Sequence, residues 1–321
     1  MKILVTGGAG FIGSNVVDGY IREGHEVIVV DNLSTGKKEN LNPKARFYKV
    51  DIRDKEMEDI IKEERPEIIN HHAAQISVPD SVKDPIYDAD VNIRGFLNIL
   101  EASIRYGVKK VIFISSGGAI YGEAEEYPTS ENYQPRPISP YAITKYVSEN
   151  YLAYYRHQYG LEYTTLRYSN IYGPRQIPHG EAGVVAIFME NIMNNRKSIL
   201  YHYPEDRDGM IRDYCFVEDV VDANIKALKN GNGECFNIGT SVGTKTYHLY
   251  KLILDTYKQM GFHVSEDIAE PQRMPARPGD IRRSCLVIEK AKRILGWYPK
   301  TSLKEGILKT WKWWLKNKVK Y

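Results

Sequence analysis

Residues 2–32 read KILVTGGAGFIGSNVVDGYIREGHEVIVVDN, and the fold turns on how they are read. Lys2 to Thr6 are mostly branched and apolar, and they run straight into a turn with glycine at 7, 8, 10 and 13. From about Ile12 to Glu23, Val16, Val17, Tyr20 and Ile21 recur at helical spacing, which predicts a helix. EVIVVD then supplies a second strand. A strand, a glycine turn, a helix and a strand in this order make half of a dinucleotide-binding unit. Gly7, Gly10 and Gly13 allow the tight turn, close approach of backbone to a pyrophosphate, and close helix–strand packing. The unpaired N–H groups that open the helix face the phosphates. Asp31 ends the second strand near the spacing of about 20 residues at which a carboxylate accepts from the adenosine ribose. Its charge repels a 2′-phosphate, which favours NAD over NADP.

The same rhythm continues outward from this unit. RFYKVD, EIINHHAA, KKVIFISS and EYTTLRYSN are strand-like, with helical stretches between most of them. Near-continuous apolar strands alternating with helices predict an α/β fold: a doubly wound parallel sheet, Rossmann-like, covered on both faces. After Gly173 and Pro174 the rhythm breaks. Pro174, Pro178 and Gly180 punctuate a loop, and a helix follows through VVAIFMENIM. The tail is irregular before SLKEGILKTWKWWL. The expected division is an NAD-binding domain over 1–175 and a smaller α/β substrate lobe over 176–321. A segment near 211–239, ending in ECFNIG, is expected to return to the first domain. In the last helix Trp311, Trp314 and Leu315 share one side, as a docking helix would have them.

Composition excludes several classes of function. Hydrophobic residues are 42 % and charged residues 26 % of the 321, an ordinary globular balance. Lys plus Arg is 44 against 41 for Asp plus Glu, and a net charge of +3 gives no reason to expect nucleic acid or a membrane surface. Apolar runs are only strand-sized, and MKILVTGG is no signal peptide. Cys215, Cys235 and Cys285 are scattered and odd in number, which predicts neither disulfides nor a zinc site. A reduced, cytoplasmic protein is expected.

Chemistry collects at the predicted strand ends, where ligands of such sheets bind. Asp51 ends the third strand, and either an adenosine-side acid or a helix N-cap suits it. HHAAQ ends the fourth. His71 and His72 are neighbours on a strand and face opposite ways, so no metal site is expected. Ser115 and Ser116 end the fifth. In SPYAITK, Tyr141 and Lys145 lie one helical turn apart. Removing a hydride from an alcohol carbon needs a base for the hydroxyl proton. A free phenol, with its pKa near ~10, serves poorly until a lysine and a positive nicotinamide stabilise the phenolate.

TGGAGFIG, VVDNLSTGK, VDIRD, HHAAQISV, SSGGAIYG, SPYAITK, LRYSNIYGPRQ, IRDYCFVEDV, CFNIGT and RPGDIRRS together span nearly the whole chain. In these motifs the sequence resembles the extended short-chain dehydrogenase/reductase family, and within it the nucleotide-sugar 4-epimerases. The resemblance implies that Tyr141 is the catalytic base and that Lys145 is its activator and a ribose ligand. Ser116, aligned from the strand side, would share the sugar oxygen. Gly7, Gly10, Phe11, Ile12, Asp31, Asn32, Asp51, Ile52, Ala73, Gln75 and Asn92 would line the NAD site, with Tyr168 beside the nicotinamide. Asn170, Tyr201, Arg212, Arg277 and Asp280 would hold UDP, and Ser284 would face the C2 substituent of the sugar. The implied activity is 4-epimerisation of UDP-hexoses through a 4-keto sugar, including N-acetylhexosamines because Ser284 is small. The helix near 84–106 and the one carrying Tyr141 would pair in a homodimer.

Two alternatives share this frame. A dehydratase of the family carries an Asp-Glu pair where this chain has Gly117 and Gly118. A non-catalytic NAD sensor has lost the tyrosine or the lysine, and both are present here. The stretch 202–211 is longer than the family's usual loop.

Overall fold

The computed structural model describes residues 1–178, 183–277 and 280–317; Gly180 of the predicted loop and Pro278 and Gly279 of RPGD lie outside these. The opening stretch folds as its sequence dictates. β1 (Lys2–Thr6) leads through the glycine turn into α1 (Phe11–Arg22), and β2 (Glu26–Val30) returns beside β1. β3 (Arg46–Tyr48), α2 (Glu56–Glu64) and β4 (Ile68–His71) follow. Two short helices, α3 (Val78–Lys83) and α4 (Pro85–Ala89), lead through one wide π turn, Asp90–Arg94, into α5 (Gly95–Tyr106). The predicted helix over 84–106 is thus helical throughout but widened in the middle. β5 (Lys110–Ser116), α6 (Pro140–Tyr159) and β6 (Glu162–Tyr168) complete the regular alternation.

Beyond β6 the chain leaves the main sheet. β7 (Asn170–Tyr172), α7 (Val184–Met193), β8 (Ile199–His202), β9 (Ile211–Phe216) and α8 (Val217–Ala227) precede β10 (Glu234–Ile238). β11 (Gly243–Lys245), α9 (Thr246–Gln259), β12 (Gln272–Pro275) and α10 (Leu303–Asn317) follow. The main sheet has seven strands in the order β10-β6-β5-β4-β1-β2-β3, all parallel. β10 therefore adds to the first sheet at its β6 edge. Two small sheets, β11-β9-β7 and β12-β8, stand apart from it.

Alternation along β1 explains the two covered faces. Ile3 and Val5 pack with Val16, Val17 and Tyr20 of α1 and with Val220 and Ala223 of α8. Leu4 points the other way, among Met57, Ile60 and Ile61 of α2 and Ile99 of α5. The C-terminal part has its own core, where Tyr172, Phe188, Tyr250 and Trp311 cluster. Trp311 is fully buried and its Nε1 donates to the Ile253 carbonyl at 3.1 Å, so α10 docks by this face. Among the described residues no helix is long and apolar enough to cross a membrane.

The topology decides where a ligand can sit. β1 pairs with β2 on one side and β4 on the other, so Thr6 is level with both Val30 and His71. Strand order reverses there, and the connections leave a crevice beyond the carboxyl ends. The glycine turn, Asp31 and His72 open into that crevice. Two strands from β1, Ser116 on β5 is level with Tyr168 on β6. Ser169 is the one residue between β6 and β7, where the chain crosses from the main sheet to the small one.

Candidate active site

A single cavity of about 710 Å³ runs along these strand ends. Its first end is the glycine turn. Gly7 has φ +68°, and a Cβ there would stand 2.7 Å from the Ala73 nitrogen. A Cβ on Gly13 would stand 2.2 Å from the Gly7 carbonyl oxygen, so only glycine lets α1 start this close to β1. Gly10 caps α1 with no side-chain acceptor, leaving the first helical N–H groups of Phe11 and Ile12 at the cavity wall. This is a cradle for an anionic diphosphate, and the residues fit a dinucleotide.

Asp31 is held by its own backbone: Leu33 N–H donates to Oδ1 at 2.8 Å and Ala9 N–H to Oδ2 at 3.0 Å. Burial pushes its carboxyl up, and these two bonds oppose the rise. A carboxylate has about four lone-pair sites, so both oxygens can still accept from ribose hydroxyls. Lys37 and Lys38 do not line the cavity, whereas Ser34 and Thr35 do.

Asp51 lies three residues past the end of β3, not on the strand itself, and the N-cap of α2 is Lys55. Arg53 grips Asp51 with Nε and Nη2, each at 2.9 Å, and Asn32 Nδ2 donates to it at 2.8 Å. The Arg53 guanidinium holds this carboxyl well below the usual range. Asn32, Asp51, Ile52, Ala73 and Gln75 all line the cavity.

Asn92 does not line it, contrary to the expectation. Its side chain turns inward from the π turn, and Oδ1 accepts from Gln75 N–H at 2.9 Å while Nδ2 lies within 3.2 Å of Asp88 and Thr144. The preceding residue, Val91, is the one at the wall. Asn92 shapes the Gln75 segment from behind.

The middle of the cavity holds the chemistry. Ser139 caps α6, accepting from Ala142 N–H at 3.3 Å, and Pro140 presets the first turn. The helix then projects Tyr141 and Lys145 side by side toward the end of β5. Burial dominates at the Tyr141 phenol and pushes it up to about 12, while the nearby Ser116 hydroxyl draws it down. Lys145 does not tune the phenol as the spacing suggested. Its Nζ lies 6.0 Å from the centre of the Tyr141 ring and donates to the Ile114 carbonyl at 2.9 Å. Burial brings the ammonium itself down to about 8.

Gly117 and Gly118 differ in the room around them. A Cβ on Gly117 would stand 2.6 Å from Leu286 Cδ1, so that position is closed. At Gly118 the nearest atoms would be Asn170 Oδ1 at 3.7 Å and Ser116 Oγ at 3.9 Å. A Cβ there would meet only ordinary van der Waals neighbours, and neither glycine offers a carboxyl to eliminate water.

Tyr168 forms the floor, its phenol accepting from Asn224 Nδ2 at 2.7 Å. Among the described residues, five buried polar atoms on the wall have no protein partner: His72 Nε2, Ser115 Oγ, Ser169 Oγ, Gln176 Oε1 and Tyr214 Oη. Buried polar groups are costly unless bonded, so their convergence on one cavity marks a polar ligand. The sequence reading missed His72, Ser169, Gln176 and Tyr214. His71 is a core residue, bonded to Thr6 Oγ1 at 2.7 Å and stacked on Phe96.

The far end is built from both small sheets. Asn170 on β7, Tyr201 on β8, and Met210 and Arg212 at β9 converge with Arg277 and Asp280. Arg277 pairs with Asp280 through Nε at 3.1 Å and Nη2 at 3.0 Å, and its guanidinium lies 4.5 Å over the Tyr201 ring. Arg212 donates to its neighbour's carbonyl at 2.9 Å, and burial lowers its pKa. Two guanidinium groups at one end fit a diphosphate. The lengthened stretch after β8 is tied down here: Tyr203 donates to the Asp280 carbonyl, Glu205 pairs with Arg282, and Asp206 pairs with Lys245 at 3.0 Å. Ser284 does not line the cavity; its N–H donates to the Ile211 carbonyl at 3.0 Å. The gate expected at that position is therefore not part of the wall.

A dinucleotide cradle, a Ser-Tyr-Lys centre and a diphosphate clamp in one cleft define a class. The chain belongs to the NAD dependent epimerase/dehydratase family, whose description matches residues 3–239. It is 46 % identical over 316 residues to the UDP-glucose 4-epimerase of Mycolicibacterium smegmatis, covering 97 % of each chain. It superimposes with a TM-score of 0.92 on the UDP-glucose 4-epimerase of Thermotoga maritima, solved with UDP-glucose, at 52 % identity and 99 % coverage of both chains. Against the Thermus thermophilus UDP-glucose 4-epimerase, solved with NAD, the TM-score is 0.89 at 45 % identity, covering 98 % of this chain and 99 % of that one.

Proposed function

We propose that this chain is an NAD-dependent UDP-hexose 4-epimerase that interconverts UDP-glucose and UDP-galactose. The observation that carries the reading is that Ser116, Tyr141 and Lys145 line the same cavity as the glycine cradle and the Arg212–Arg277 end. Gly7, Gly10, Phe11, Ile12, Asp31, Asn32, Asp51, Ile52, Ala73 and Gln75 would hold the dinucleotide. NAD, when bound, supplies the hydride acceptor for the sugar's C4 and a positive ring that favours a phenolate. Tyr141 takes the 4-hydroxyl proton and later returns it to the 4-keto oxygen. Ser116 holds that oxygen, and Lys145 orients the ribose. Asn170, Tyr201, Arg212, Arg277 and Asp280 hold UDP while the keto sugar turns its other face. With glycine at 117 and 118 nothing diverts the keto sugar to elimination.

The cavity volume of about 710 Å³ favours a wider substrate range. N-acetylhexosamines are the second class we assign, because an acetamido group needs volume and the wall leaves it. Residues 1–175 would serve mainly the cofactor and the later ones the sugar nucleotide, in the cytoplasm and in galactose metabolism. Ile86, 81 % exposed on α4, with Ile143 and Tyr154, about half exposed on α6, supports a homodimer across these helices. The test is direct: the purified protein should carry nicotinamide absorbance and convert UDP-glucose to UDP-galactose without added cofactor. A protein that binds NAD and turns over no UDP-sugar would be the sensor instead.

A further inference from the structure

A buried carboxylate stands behind the catalytic helix, and no step above uses it. Asp88 of α4 is 0 % exposed. Gln75 Nε2 donates to its Oδ1 at 2.8 Å, and Asn92 Nδ2 lies at 3.1 Å from the same oxygen. Thr144 Oγ1 donates to Oδ2 at 2.8 Å. These donors come from three places: the cavity wall after β4, the π turn, and the residue just before Lys145 on α6. The contacts are hydrogen bonds from neutral groups, and no ion pair joins them among the described residues. A buried carboxylate without a cation beside it is costly. An amide would fill the same space at lower desolvation cost, so hydrogen bonding alone does not call for the charge.

The charge has a counterpart in the catalytic centre. The groups that face Lys145 and Tyr141 are His71 at the end of β4, His72 just past it, Asp88 on α4, Ser116 on β5 and Glu149 on α6. His71 and His72 are both kept neutral, chiefly by burial, His72 down to about 3. Against the burial that lowers Lys145, Asp88 is the stronger opposing charge and Glu149 the weaker. Glu149 is already claimed by Arg167, whose Nη2 lies 2.6 Å from it. Burial pushes the Asp88 carboxyl up, and the bonds from Thr144 and Gln75 with the Lys145 charge oppose the rise; among the described residues facing the pair, Asp88 joins a carboxyl outside any ion pair to a mechanical link to α6.

We propose that Asp88 is a positioning residue for the catalytic pair: through Thr144 it fixes α6 against the Gln75 wall, and its carboxylate is the counter-charge that keeps the Lys145 ammonium in the site. The inference rests on the epimerase reading only for the rate assay. The sign follows from electrostatics. Taking away a negative charge makes both an ammonium and a phenol more acidic. Asp88→Asn should therefore move both limbs of the kcat/KM profile toward lower pH, by on the order of one unit. Loosened structure alone lowers the height of the profile and leaves its limbs in place.

Thr144→Val removes the tether and keeps the charge. It should lower turnover with unmoved limbs. In the intact native protein, carbon-13 titration of the aspartate carboxyls should find Asp88 ionised throughout the active pH range. Limbs that stay put in Asp88→Asn would overturn the counter-charge role. So would an Asp88 carboxyl found protonated at pH 7 to 8, and that measurement stands even if the variant does not fold. Limbs that shift in Thr144→Val would assign the effect to geometry and also overturn it. A wild-type protein without epimerase activity would sink the epimerase reading and leave the carboxyl titration as the arbiter here.

Discussion

The two ends of the cavity recognise charge by different means. At the cofactor end the backbone does the work. Gly7, Gly10 and Gly13 bring N–H groups and a helix end to the ligand, and Asp31 is itself held by the N–H groups of Ala9 and Leu33. At the sugar-nucleotide end, side chains do it. Arg212 is far in sequence from the segment that carries both Arg277 and Asp280, and Arg277 is braced by Asp280 and Tyr201. A backbone cradle is rigid and tolerates only glycine where a Cβ would meet backbone. A side-chain clamp can be retuned by single substitutions, so substrate range belongs to the far end and cofactor choice to the near one.

Tyr141→Phe should break the molecule between these ends. It removes the phenol and keeps the ring, so turnover should fall by at least ~10²-fold, while absorbance of the purified variant still reports bound NAD. Near-normal turnover would remove Tyr141 from the mechanism. Arg277→Ala should act on the clamp alone. Losing charge-assisted bonds to a diphosphate should raise KM for the UDP-sugar by about 10- to 100-fold, with NAD retention unchanged in the same preparation. Asp31→Ala should act on the cradle. It removes acceptors for ribose and strands the Ala9 and Leu33 N–H groups, so NAD affinity measured by titration should fall by on the order of tenfold, and the preference over NADP should narrow. Ser284→Tyr should do least, because the side chain stands outside the wall. Assays with UDP-glucose and UDP-N-acetylglucosamine should change together and by no more than a few-fold; a selective loss of the N-acetyl reaction would return Ser284 to the pocket.

The same contrast sets what could be read before the structure. The near end is encoded locally, within 31 consecutive residues, where glycine spacing and strand–helix order state the geometry. Tyr141 and Lys145 were also legible, because four residues on a helix is a distance. What the sequence could not express was the balance around them. Burial outweighs the Ser116 hydroxyl's pull on the phenol, and the lysine is spent on the Ile114 carbonyl. Asn92 was placed in the cofactor wall by resemblance, and the π turn directs it to Asp88 instead. Asp88 had a faint signal, an acid four residues before that asparagine on one helical path. Ser169 had none, since only the crossing from β6 to β7 exposes it.

The most direct measurement follows a deuterium label at C4 of UDP-glucose through the purified protein without added NAD. The account predicts UDP-galactose with the label still at C4, because the hydride leaves to the bound cofactor and returns from it to the same carbon. Label lost to solvent, or a product that has lost water, would contradict it.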